Sequence, residues 1–385
     1  MASSMIASTF TGKAVAAAAR PARAAKSARA TTVCGAFDAE LVETAAKITR
    51  TGCGIMAMDE SNGTCGQRLD SIGVENTEEN RQRYRELLIT TQGLGEYISG
   101  AILFEETLYQ SCADGTSFVD ALNANNIVPG IKVDTGLKPL IGGNEGESWC
   151  SGLDTLADRA AAYYKQGARF AKWRTAINIS AGPSELAIAE AAHGLARYGK
   201  ICQENGLVPI IEPEVLLDGE HDIDTTLAVA ERVWSATFKA MQDSGVMMEG
   251  ILLKPSMVTP AADCPDRADA DTIAKYTLGM LGRRVPPSVP GIMFLSGGQS
   301  EMEATMNLNA MNQSPNPWHV SFSYARALQN SVLKTWLGKD ENKVAAQAKL
   351  IARAKANSMA QQGKYDPEGE DESATEGMYV KNYTY

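Results

Sequence analysis

Six apolar runs in this chain each close on a charged or hydroxyl-bearing side chain. They are GIMAMD ending at Asp59, GIKVD carrying Lys132, ARFAKWR carrying Lys172, LVPIIEPE carrying Glu212, EGILLK ending at Lys254 and GIMFLSGG reaching Ser296. Surface strands alternate polar and apolar residues, whereas strands buried on both faces read as continuous apolar runs. Eight such segments stand out, at 54–59, 100–104, 129–134, 168–173, 207–212, 249–254, 291–296 and 318–322. Their spacing of roughly thirty to forty-five residues is the length of successive βα units. Helical patterns lie between them: an Asp154-Thr155 start running to Gly167, Pro183 to Gly206, Thr225 to Met241 and Tyr324 to Leu337. Pro or a capping residue at the start and Gly at the end are the usual marks of a helix. The expectation is one α/β barrel, with charges at the C-terminal ends of its strands, where such barrels carry their chemistry.

Length and composition fit. A chain of 385 residues, 44% hydrophobic and 21% charged, can bury a large core, and one barrel with insertions reaches this size. No apolar run approaches the ~20 residues of a membrane span, and a net charge of −10 argues against nucleic acid as a partner. Residues 1–34 carry five positive charges, no acids and many Ala, Ser and Thr. That is the composition of an organelle transit peptide, plastid or mitochondrial, which is removed after import. Its loss takes the charge to −15 (−10 minus five positives). The barrel is then expected over 35–360 and a polar, mobile tail over 361–385, ending in Tyr385. Six cysteines lie beyond residue 34 with no CxxC pairing, so free thiols are expected.

The strand ends repay closer reading. Residues i and i+2 of a strand share a face, which pairs Asp59 with Ser61, Lys132 with Asp134, Lys172 with Arg174 and Glu212 with Glu214. With strands in sequence order, Glu212 falls between Lys172 and Lys254. A structural ion-pair network is the alternative use of such charges. A lysine with an ordinary pKa near 10.4 is protonated at neutral pH, and nucleophilic attack needs that value lowered by roughly 4 kcal/mol. A second ammonium ~5 Å away supplies about 3 kcal/mol at an effective dielectric near 20. On this reasoning Lys172 activates Lys254, the nucleophile for imine formation. Glu212 shuttles protons, and Asp59 takes the proton of a substrate hydroxyl.

Anion handling is also written into the chain. Ser296, Gly297 and Gly298 follow the seventh strand and Arg326 follows the eighth, where barrels commonly hold phosphate. A second anion site assembles from Ser61, Thr64 and Arg68 with Arg174 and Lys132. Two phosphate sites flanking one imine-forming lysine suggest a sugar bisphosphate. The three histidines, His193, His221 and His319, lack metal-ligand spacing, so no metal or other cofactor is expected.

MDES at 58–61, GIKVDTG at 130–136, AKWR at 171–174, IIEPE at 210–214, LLKPSMV at 252–258, LSGGQSE at 295–301 and FSYARALQ at 322–329 resemble class I fructose-bisphosphate aldolase. The likeness covers essentially all of 37–385, and with its basic leader the chain is similar to the plastid form of plants and green algae. The resemblance implies a homotetrameric (β/α)8 TIM barrel in the chloroplast stroma. It implies reversible cleavage of fructose 1,6-bisphosphate to two triose phosphates, and formation of sedoheptulose 1,7-bisphosphate in the Calvin cycle. Residue by residue, it makes Lys254 the Schiff-base lysine, Glu212 its acid/base and Asp59 the group at the C4 hydroxyl. Lys172 and Glu214 assist. Ser296, Gly297 and Arg326 match the C1-phosphate site, with Ser61, Thr64, Lys132 and Arg174 at the other end. Tyr385 matches a tail tyrosine that aids proton exchange at the enamine. Departures are mild: Thr64 stands where animal enzymes often have Ser, Gln67 where a second cation is common, and VKNYT before Tyr385 differs from animal tails. The alternatives are another Schiff-base barrel such as a transaldolase or deoxyribose-phosphate aldolase, which typically needs one phosphate site, a metal-dependent aldolase, and a non-catalytic binding role.

Overall fold

A computed structural model describes residues 35–370 and 372–381, so the proposed transit peptide and Tyr385 lie outside the described residues. Eight strands close into a barrel: β1 (Gly54–Met58), β2 (Ile98–Leu103), β3 (Val128–Lys132), β4 (Phe170–Ile177), β5 (Val208–Val215), β6 (Leu252–Leu253), β7 (Gly291–Phe294) and β8 (His319–Tyr324). Every neighbouring pair is parallel, and the order round the barrel is the order in the chain. The expected eight strands are all present. Their ends move by a few residues because continuous apolar runs carry no period to mark where pairing stops. β6 is the shortest; a 3-10 turn at Met248–Gly250 takes up the first half of its apolar run. A two-stranded ribbon, Leu137–Pro139 with Ser148–Cys150, is inserted after β3.

The helices match the expected spans closely, at Leu156–Gln166, Glu185–Glu204, Ile223–Asp243 and Arg326–Trp336. Several begin on a side chain that accepts the amide three residues on: Ser61, Thr77, Ser117, Ser184, Asp222, Asp269 and Ser300. Each satisfies a backbone donor that the helix itself leaves unpaired. Among the described residues no helix is long and apolar enough to cross a membrane.

The core has two parts. An outer layer seals the strands against the helices. An inner cluster joins Ile55, Ala57, Ile102, Phe170, Val208, Ile210, Leu252 and Met293, and Leu41, Ala45 and Ile48 of the helix Asp38–Ile48 pack onto it. Phe170 fills so much of this interior that a Cβ on Gly130 would fall 2.3 Å from its ring; the glycine makes room for the aromatic. Side chains recur on one strand face every second residue. The sequence Phe170, Lys172, Arg174 therefore climbs from apolar plug to charged rim, as do Val208, Ile210, Glu212, Glu214 and the pair Leu252, Lys254. The six described cysteines are all free and buried.

Candidate active site

At the C-terminal rim, Glu212 stands between two ammonium groups. One of its oxygens lies 3.2 Å from Lys172 Nζ and the other 3.1 Å from Lys254 Nζ, and Lys172 also lies 3.0 Å from Asp59. Lys172 and Asp59 are fully buried, and Lys254 is 4% exposed. Burial alone would discharge Lys172, yet Asp59 and Glu212 outweigh it and hold the ammonium well above the usual lysine range. The expected order of Lys172, Glu212 and Lys254 is therefore present. The expected bare repulsion between the two lysines is not, because a carboxylate fills the gap. The charge of Lys172 meets Glu212 at 3.2 Å before it reaches Lys254.

Neighbouring strand ends add further pairs. Arg174 donates to Glu214 on the adjacent strand, and Lys132 lies 2.6 Å from Asp134. Burial works against the Arg174 charge, but Glu214 keeps it firmly on. Ser61 caps the helix Asn62–Asp70, accepts the Thr64 amide, and sits 3.0 Å from the Thr64 hydroxyl. That helix therefore presents Thr64 and, one turn later, Arg68 on one face.

A small pocket of about 50 Å³ gathers Lys254, Glu212, Glu214, Arg174, Arg68, Ser296, Gly297 and Arg326. Sequence reasoning divides these cations between two separate anion sites, with Arg68 and Arg174 apart from Arg326. The structure brings them to one pocket, because the helices after β1 and β8 are neighbours in a closed barrel. A cavity of about 330 Å³ adjoins it and shares Arg68 and Arg326, with Thr64 on its wall. Asp59, Lys172, Lys132 and Ser61 line neither of these spaces; Asp59 and Lys172 reach the pocket through Glu212.

The chain's end also arrives here. Arg326 donates to the Met378 carbonyl, the Met378 amide donates to the Gly298 carbonyl at 3.0 Å, and the Tyr379 hydroxyl donates to Asp218 at 2.9 Å. Gly298 has a φ of +89°, and a Cβ there would fall 2.9 Å from the Tyr379 Cα, so this glycine faces the tail. Burial and the Asp218 bond push the Tyr379 phenol up to about 12. Met378, Tyr379 and Asp218 escape a sequence reading, because an acidic polar tail gives no sign of where it docks. The described part of the tail is seated on the rim.

A barrel that collects amines, carboxylates and anion-binding groups in one rim pocket defines an α/β-barrel enzyme. Comparison with known proteins then narrows the class. Residues 40–385 match the family model described as fructose-bisphosphate aldolase class-I. The chain is 68% identical over 351 residues to fructose-bisphosphate aldolase 3, chloroplastic, of Arabidopsis thaliana, covering 91% of this chain and 90% of that protein. It is 67% identical over 363 residues to fructose-bisphosphate aldolase 1, chloroplastic, of Chlamydomonas reinhardtii, covering 94% and 96%. A solved structure of fructose-bisphosphate aldolase from Plasmodium falciparum superposes with a TM-score of 0.84 at 52% identity, over 85% of this chain and 95% of that one. The chain belongs to the class-I fructose-bisphosphate aldolase family and is an aldehyde-lyase. The resemblance drawn from its motifs holds.

Proposed function

We propose that the chain makes and breaks the C3–C4 bond of fructose 1,6-bisphosphate through an imine on Lys254, with no metal or other cofactor. The observation that carries this reading is the Glu212 carboxylate touching both Lys172 and Lys254 in a pocket shared with Ser296, Gly297 and Arg326. Lys254 adds to the C2 carbonyl, and Glu212 moves the protons that let water leave. The iminium then acts as an electron sink. The C4 hydroxyl proton leaves to the chain of Glu212, Lys172 and Asp59, which reaches the pocket at Glu212, the C3–C4 electron pair moves into an enamine, and glyceraldehyde 3-phosphate departs. Protonation at C3, assigned to Tyr385, and hydrolysis of the imine release dihydroxyacetone phosphate and return the free amine. Lys172 bridges two buried carboxylates, and Glu214 steadies Arg174.

Ser296, Gly297 and Arg326 take the C1 phosphate, with Gly298 shaping their loop. Thr64, Arg68 and Arg174 serve the C6 phosphate, while Ser61 orients Thr64 and Lys132, held by Asp134, supplies positive charge from outside these spaces. Ligand sites usually offer at least ~300 Å³, so the substrate occupies the small pocket together with the adjoining cavity. The Met378 carbonyl leaves Arg326 as a phosphate arrives. The names of the relatives and the basic leader support removal of residues 1–34 as a transit peptide, with the mature barrel at work in the chloroplast stroma. There it also forms sedoheptulose 1,7-bisphosphate for the Calvin cycle, as a homotetramer. The helix Lys343–Gln361 closes the barrel, and the described tail at Met378 and Tyr379 docks on the rim and leaves it in each cycle.

Reduction with borohydride in the presence of fructose 1,6-bisphosphate tests the chemistry. A covalent adduct mapping to Lys254, insensitive to EDTA and absent from Lys254→Ala along with turnover, is the expected result. Cleavage that leaves no adduct and stops in EDTA overturns the mechanism.

A further inference from the structure

Directly beside Asp59 the chain turns a second carboxylate, Glu60, the opposite way. Asp59 faces Lys172 inside the barrel, whereas Glu60 faces two guanidinium groups behind it. Arg85, from the helix Glu78–Ile89, donates to one Glu60 side-chain oxygen at 2.6 Å and to the Glu60 carbonyl at 3.3 Å. Arg68 forms an ion pair with the other side-chain oxygen. The side chains of Glu60 and Arg85 are 0% and 2% exposed, while that of Arg68 is 10% exposed and reaches the pocket that holds Lys254. Gln329 completes the backing. It accepts from Arg68 at 3.3 Å and from the Tyr84 hydroxyl at 2.7 Å, and donates to the Ala57 carbonyl at 2.8 Å.

We infer that Glu60 is a positioning residue. It fixes the Arg68 guanidinium at the pocket wall so that one fork of it meets the phosphate remote from Lys254. This rests on the reading of Arg68 as a ligand of that phosphate. Charge accounting favours the arrangement. One carboxylate between two guanidiniums leaves a single positive charge in a buried cluster, and Arg68 alone of the three opens to the pocket. Burial opposes the Arg85 charge, and Glu60 sustains it, so Arg85 is a permanent counter-charge. Glu60 therefore binds Arg68 without the cluster losing its net attraction for an anion. A long side chain held this way has less rotameric freedom to lose when the phosphate arrives.

The test compares fructose 1,6-bisphosphate with fructose 1-phosphate, the same ketose without the second phosphate. Its readout is the ratio of the two kcat/KM values. Arg68→Ala and Glu60→Gln are each expected to lower that ratio about tenfold, the worth of one charge-assisted hydrogen bond. The double variant should be no worse than Arg68→Ala, because Glu60 acts through Arg68. Additive losses, or a Glu60→Gln ratio equal to wild type while Arg68→Ala falls, overturn the positioning role. A wild-type ratio in Arg68→Ala removes Arg68 from the phosphate site and takes the inference with it. Glu60→Gln strands the buried Arg85 and risks unfolding. The paired variant Glu60→Met/Arg85→Met removes both charges together and, by thermal melting, should fold; it is expected to show the same tenfold fall. A folded pair variant with the wild-type ratio would mean that Glu60 serves packing alone.

Discussion

Glu212 has to be an anion between two cations and, in the proposed cycle, a carrier of protons. Lys172 makes the first role possible, since it is the group that touches both Glu212 and Asp59. Lys172→Met would leave two buried carboxylates facing each other with one positive neighbour fewer. Breaking a buried charge pair costs about 3–5 kcal/mol, and loss of proton transfer costs about 10²–10⁴-fold in rate. We expect folded but less stable protein, with kcat lowered by at least two orders of magnitude. A rate within tenfold of wild type would show that Lys172 is only structural. The charges at Asp59, Lys172, Glu212 and Lys254 were legible because a charge closing an apolar run has few innocent explanations. The carboxylate between the lysines was legible from strand order, but its screening effect was not, since that depends on which oxygen meets which nitrogen. Glu60 and Arg85 gave no signal at all: a charged residue beside another in sequence does not say that the two point opposite ways.

Among the elements, the loop after β4 depends on one acid from the inserted ribbon. Glu147 accepts from the Ser184 amide at 2.6 Å, the Ser184 hydroxyl at 2.7 Å and the Asn144 amide at 2.8 Å. Burial would raise its pKa, but these donors outweigh that and hold the carboxyl below its ordinary range. A depressed carboxyl contributes stability that is complete above the unfolded-state pKa and disappears as pH falls through the folded one. Glu147→Gln puts an amide donor against donors already present. It is expected to cost about 1–3 kcal/mol at pH 7. Melting temperatures of both proteins at pH 7 and pH 4 check this: the gap should narrow at the lower pH, and an equal gap at both would refute the carboxylate's part. Helices and strands of this barrel were legible from their apolar runs and end signals. The ribbon and the tail seat were not, since three-residue strands and an acidic terminus lack periodicity; their positions follow from contacts with Ser184, Gly298, Arg326 and Asp218.

For the whole molecule, closure of eight short strands on an apolar plug means that no strand can leave without opening the barrel. The thiols inherit this constraint. Burial raises the pKa of Cys53, Cys65, Cys112, Cys150 and Cys202, with Cys112 reaching about 11, and only the thiolate reacts with an alkylating reagent. These side chains come from different strands, loops and helices around the circle. If the barrel opens as one cooperative unit, they should become reactive together, at one rate, as denaturant is raised. Mass spectra would then show chains carrying either no label or the full set at these five positions. A ladder of partly labelled species would instead mean that sectors of the barrel breathe separately. The buried sulfurs thus make the chain its own stopwatch for unfolding.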